Sequence, residues 1–213
     1  MRNSKTKDLV LLGVLTAVLL VMAYTPLGYL NIGPLAITMN IIPVAIAAIA
    51  LGPAGGAAVG AVFGITSFLQ CIGVGGTSAM GVILFEINPI LAFVQRFIPR
   101  VLTGFLAGWV YRLICSKSTG TAGKVTGCFV TGLCTAFFNT ALFMLSLVGL
   151  FGNTEYVTEL MAGRNVLVFI CAFVGINAVT EMIASTLVSG AVGTALLKAR
   201  LITPISTAKA EAA

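Results

Sequence analysis

Residues 42–68 read IPVAIAAIALGPAGGAAVGAVFGITSF, without one charged side chain. Two apolar runs flank the break LGPAGG at 51–56, where a glycine and a proline punctuate the chain. The runs are rich in Ala, Ile and Val and do not alternate with polar residues, so each reads as a fully apolar helix. Within the second run Gly52, Gly56, Gly60 and Gly64 recur every fourth residue, giving overlapping GxxxG units on one helix face. In lipid such a face lets another backbone approach closely.

The rest of the chain has the same character. Of 213 residues 59% are hydrophobic and 8% charged, against roughly a quarter charged in a soluble domain. Several other runs reach about 18 residues, enough to cross a hydrocarbon core. Transmembrane barrels alternate polar and apolar residues over short segments instead. The expectation is an all-α membrane protein with six transmembrane helices in one bundle. The spans are read at about 9–24, 37–51, 54–72, 87–114, 125–150 and 166–197. The basic opening MRNSKTKD precedes an apolar run with no small-residue cleavage site after it, so it reads as leading into a retained first helix. Residues 1–8 are then a cytoplasmic segment, 9–200 the bundle and 201–213 a disordered cytoplasmic tail.

Charge sets the expected orientation. Arg2, Lys5 and Lys7 precede the first span; Arg112, Lys117 and Lys124 surround the fourth loop; Lys198, Arg200 and Lys209 follow the sixth span. The opposite loops carry Glu86, Glu155 and Glu159 with only Arg164. The positive-inside rule then puts both termini in the cytoplasm. It also explains the net charge of +6 without nucleic acid.

Against this background QRFIPR at 95–100 stands out. Arg96 and Arg100 share a helix face four residues apart. They lie about 24 and 18 Å above Arg112 along a helix. Each costs roughly 2.5–3.5 kcal/mol at membrane depth unless it faces protein or water. Gln70, Asn139, Asn40, Asn177 and Glu181 fall at similar depth, about 18–26 Å along their helices from a span end. Polar groups from five helices thus converge on the outer half of the bundle, the layout of a small-molecule pocket open to the outside. Two readings stand side by side. Glu181 pairs with one arginine as a structural ion pair, or the arginines hold a ligand carboxylate, which guanidinium can grip with two parallel hydrogen bonds.

Catalysis finds no footing. There is no histidine, and Cys71, Cys115, Cys128, Cys134 and Cys171 lack metal-ligand spacing. Gly123-Lys124-Val125 is not a phosphate loop, because no Ser or Thr follows the lysine. Neither cofactor nor metal is expected, and energy for transport would come from another subunit.

The chain resembles the substrate-binding S components of energy-coupling factor (ECF) vitamin transporters from about Asp8 to Ala199. The likeness lies in Gly13 and Ala17 of the first helix, IPVAIAAIALGPAGGAAVGAVFGITSF, RFIPRVLTGFLAGWVYRL of the fourth helix and GINAVTEMIASTLV of the sixth. The last two are similar to pantothenate-type members. The resemblance implies a multi-pass subunit of a bacterial plasma membrane that binds a vitamin from outside. The loops at about 25–36, 71–86 and 151–163 would lie over the site. Gly13 and Ala17 would meet a membrane-embedded coupling subunit, itself bound to two ATPases. The protein would then topple in the bilayer to release its cargo. Pantothenate, an anion, suits Arg96 and Arg100; riboflavin, which is neutral, or another vitamin is the alternative. A self-sufficient secondary transporter and a membrane scaffold with a structural Arg–Glu lock are the other classes.

Overall fold

A computed structural model describes residues 4–31, 36–117, 120–199 and 201–202. Arg2, Arg200, Lys209 and the expected tail from 203 onward lie outside the described residues. Among the described residues the regular structure is helical save for one small hairpin: α1 (Ser4–Ala23), β1 (Tyr29–Asn31), β2 (Ala36–Thr38), α2 (Ile41–Leu69), a 3₁₀ turn (Gln70–Ile72), α3 (Ala79–Ile87), α4 (Pro89–Lys117), α5 (Thr121–Phe151), α6 (Glu155–Met161) and α7 (Val166–Lys198). Among the described residues, five helical stretches are long and apolar enough to cross a membrane: 5–23, 41–72, 89–117, 121–151 and 177–198.

The second stretch holds two of the expected spans. Gly52, at φ 74° and ψ −163°, breaks α2 just before Pro53. A straight helix of this length would put its ends about 43 Å apart. Instead both ends meet the same end of α1. Gln70 Nε2 donates to the Ala23 carbonyl at 3.5 Å. At the other end Met39 N bonds the Gly28 carbonyl, Gly28 N that of Thr25 and Thr25 N that of Met22. The chain therefore folds back at Gly52, where glycine alone accepts the positive φ cheaply. The Arg112 guanidinium lies against this turn.

The returning limb of α2 packs antiparallel on α4 almost backbone to backbone. A Cβ added at Gly56 would lie 2.2 Å from the Gly104 carbonyl oxygen, at Gly60 2.4 Å from that of Arg100, and at Gly108 2.4 Å from Pro53 N. The glycine face read from the sequence is thus turned into the bundle, against α4, and it fixes where the α4 arginines point. Gly13 on α1 is different. Nothing lies within 4 Å of a Cβ placed there, and both Gly13 and Ala17 are exposed.

Two of the expected outer loops contain short helices. Ser78 caps α3 by accepting from Gly81 N. Asn88 then ends α3, and its Oδ1 accepts from Ile90 N and Leu91 N, both at 3.1 Å. Pro89 follows at the first position of α4, where its missing N–H costs nothing. The fourth span therefore begins at Pro89 rather than within one run from Ile87. In the last loop Thr154 caps α6, and Ala162 and Gly163 close it with positive φ. Apolar clusters fill both ends of the bundle: Leu84, Met144, Leu147, Phe151 and Val157 near the loops, and Ile49, Tyr111, Cys115 and Cys128 near the Gly52 turn.

Candidate functional site

The loops and the adjoining helix ends surround a cavity of about 640 Å³, within the size range of small-molecule sites. Gln70, Arg96, Arg100, Asn139, Asn177 and Glu181 all line it. Asn40 does not. It sits at the start of α2, fully buried, with neither side-chain polar atom hydrogen-bonded. Depth along a helix put Asn40 level with the others, but it is not among the residues that line the cavity.

The two arginines are held chiefly by aromatic rings. Arg100 Cζ lies 4.7 Å from the Phe143 ring centroid and 4.8 Å from that of Phe63. Arg96 Cζ lies 5.3 Å from the same Phe143 ring. One ring thus carries two cations, an arrangement that suits guanidinium, which is weakly hydrated and planar. Arg96 Nη2 donates to Ser78 Oγ at 3.1 Å. Gly81 gives it room, since a Cβ there would come within 2.9 Å of Nη2. The remaining donors are not consumed: Arg96 Nε and Arg100 Nε and Nη1 are buried without hydrogen-bond partners.

Glu181 is only 6% exposed, yet among the described residues it makes no ion pair with either arginine. Its Oε1 accepts from the backbone N–H of Thr38 at 2.6 Å. The structural ion pair weighed from the sequence is therefore replaced by a carboxylate bound to a loop amide. The cavity is lined by two buried cations at 7% and 5% exposure. Buried charges are ordinarily paired; an anion in the cavity would supply the counter-charge.

Sequence reasoning missed Phe143, Ser78, Ser67, Tyr29 and Thr38, all of which line the cavity. Phe143 had a signal, being one turn beyond Asn139 on the same α5 face. Thr38 had none, because its contribution is a backbone N–H. Polar atoms of Ser78, Arg96 and Glu181, together with the Phe143 ring, give this cavity binding chemistry without a nucleophile–base pair. No group of His, Cys, Asp or Glu side chains able to hold a metal occurs among the described residues.

The comparisons with known proteins agree with this geometry. The family described as "ECF transporter, substrate-specific component" matches residues 7–198. The chain is 29% identical over 203 residues to the pantothenate transporter PanT of Leuconostoc mesenteroides, covering 92% of this chain and 95% of that one. It is 27% identical over 211 residues to the pantothenic acid transporter PanT of Lactococcus lactis, covering 94% and 98%. Its fold is similar to the solved structure of ThiT from Listeria monocytogenes, with a TM-score of 0.59 at 16% identity, covering 93% of this chain and 98% of that one. A helical bundle with membrane-spanning stretches, a cationic cavity under its loops and a family match over nearly its whole length make this chain a multi-pass membrane transport component rather than an enzyme, a member of the ECF transporter substrate-specific components.

Proposed function

We propose that this protein is the pantothenate-binding subunit of an ATP-driven ECF importer. The observation that carries the reading is the pair of buried guanidiniums that share the Phe143 ring and line the cavity. A carboxylate ligand would neutralise charge that is otherwise costly at this depth. Asn139, Asn177 and Gln70, on the other walls, suit the hydroxyl and amide groups of such a ligand. The similarity to two proteins named for pantothenate transport supports the same substrate.

In this reading the chain crosses the bilayer six times, with the fold-back at Gly52 ending one crossing and starting the next. Both termini face the cytoplasm. Arg112, Lys117, Lys124 and Lys198 then lie at the inner end, as the positive-inside rule requires. The exposed Gly13–Ala17 face of α1 meets the coupling subunit, and two ATPase subunits drive the toppling that empties the site.

Calorimetric titration of the purified protein tests the substrate. Tight binding of pantothenate with none of riboflavin is expected; tight riboflavin binding, or no binding of either, overturns the assignment. The partner face has its own test. Gly13→Leu adds bulk where nothing lies within 4 Å of the Cβ position. It is expected to leave pantothenate affinity within about twofold, since surface changes usually stay within 0.5 kcal/mol. Co-purification with the coupling and ATPase subunits is expected to be lost. Unchanged co-purification would remove Gly13 from the interface.

A further inference from the structure

We propose that Glu181 is a specificity-determining residue. Set against Arg96 and Arg100, it holds the cavity at a net charge of +1, so that the site selects monoanions over neutral and dianionic molecules of the same shape. This rests on the pantothenate reading for the skeleton of the ligand; the charge balance itself does not.

Among the described residues that line the cavity, only Arg96, Arg100 and Glu181 carry charge. Two positive groups less one negative give +1. All three are buried, at 7%, 5% and 6% exposure, where salt screens charge far less than at the surface. Their charges therefore act on one another across the cavity, and Arg100 is coupled electrostatically to both Arg96 and Glu181. Buried charge is costly unless it is balanced. One negative charge on a ligand brings the sum to zero. A neutral ligand leaves the excess positive charge in place, and a dianion replaces it with an excess negative one.

Glu181 acts from a fixed place. Its Oε1 accepts from Thr38 N at 2.6 Å, shorter than the usual amide bond, as contacts to an ionised oxygen are. The Asn139 side chain also hydrogen-bonds the carboxylate. These donors come from β2 and α5, so the negative charge stays on the α7 wall while both guanidiniums lie over the Phe143 ring. A second anionic group on a ligand then meets a cavity whose charge is already balanced. Size does not enforce the same choice. A further carboxylate fills roughly the volume of two waters, about 60 Å³, which is little against a cavity of about 640 Å³.

Three ligands of one skeleton test the charge rule by calorimetry on the full chain in detergent at about pH 8, where carboxylates are ionised. They are pantothenol, with an alcohol in place of the carboxylate; pantothenate; and pantoyl-aspartate, which is pantothenate with a second carboxylate. The wild type is expected to bind pantothenate about tenfold more tightly than the dianion and about a hundredfold more tightly than the alcohol. Glu181→Gln keeps an acceptor for Thr38 and removes the charge. It is expected to leave the alcohol within about threefold, to tighten pantothenate about tenfold and the dianion about a hundredfold, since Coulomb energy scales with the charge of the ligand. A role confined to folding, or to a hydrogen bond with the ligand, would move all three affinities alike, and that result overturns the proposal. So does a dianion that binds the wild type as tightly as pantothenate.

Melting of the ligand-free protein reads the same balance. Glu181→Gln leaves both arginines unopposed and is expected to melt about 4 °C lower. Adding Arg100→Gln restores the wild-type balance and is expected to restore the melting temperature. A double variant no more stable than Glu181→Gln overturns the charge balance. If Glu181→Gln fails to purify as a monodisperse species, the double variant decides: its recovery supports the balance, and the same failure overturns it. If the wild type binds none of the three ligands, the pantothenate reading falls, while the melting comparison still decides the role of Glu181.

Discussion

Arg100→Ala is expected to weaken the proposed pantothenate binding by about a hundredfold or more, some 3 kcal/mol, the scale of truncating a buried charge pair across an interface. The ligand-free variant is expected to melt no lower than the wild type. The two outcomes belong together. Arg100 is 5% exposed with Nε and Nη1 unpartnered, so in the free protein its charge is a cost, offset mainly by the Phe63 and Phe143 rings. Removing it relieves desolvation even as it removes packing. In the proposed complex the guanidinium would offset the charge of the ligand carboxylate, and its loss would be felt in full. Arg100→Lys falls between, because an ammonium keeps the charge but neither stacks on the rings nor offers a fork. Calorimetry and a melting curve on each variant read both quantities. Retained affinity with a lowered melting temperature would make Arg100 a structural residue and return the cavity to the scaffold reading.

Gly104→Ala is expected to destabilise the protein by about 3 kcal/mol, at the upper end of what an added methyl costs in a packed interior. A Cβ at 104 lies 2.0 Å from the Gly56 carbonyl oxygen and 2.4 Å from its carbon. The obstacle is backbone, which cannot rotate aside, so the returning limb of α2 and α4 must part. The shift passes one turn along α4 to Arg100, whose own carbonyl packs where a Cβ of Gly60 would be. Pantothenate affinity falls with stability. Gly56→Ala meets the same contact from the other side, so the double variant costs less than the sum. Gly13→Ala, with open space at its Cβ position, is the control and stays within about 0.5 kcal/mol. Reversible unfolding in mixed detergent micelles measures all four. A Gly104→Ala protein as stable as the wild type would mean that the two helices do not depend on this contact.

Much of the architecture is one-dimensional information. Membrane spans depend on length and apolarity, and the side a loop occupies depends on its charge; both are written along the chain. Helical rise placed Gln70, Arg96, Arg100, Asn139, Asn177 and Glu181 at one depth, and four-residue spacing put Arg96 with Arg100 and Asn177 with Glu181 on common faces. The sequence by itself thus determined a helical membrane bundle with buried cations gathered at one depth.

Which face of each helix meets which neighbour is not in that arithmetic. Asn40 shares the depth of the others, yet it is buried outside the cavity. The nine residues of α3 and seven of α6 are too short for a periodic signal, so their caps at Ser78 and Thr154 decide them. Phe143 of α5 carries both guanidiniums of α4 because those two helices pack together. Glu181 took the Thr38 amide rather than an arginine, a choice made where β2 meets α7. Depth and charge follow from the order of residues; azimuth and partnership follow from backbone contacts between elements far apart in the chain, and only the packed bundle sets those.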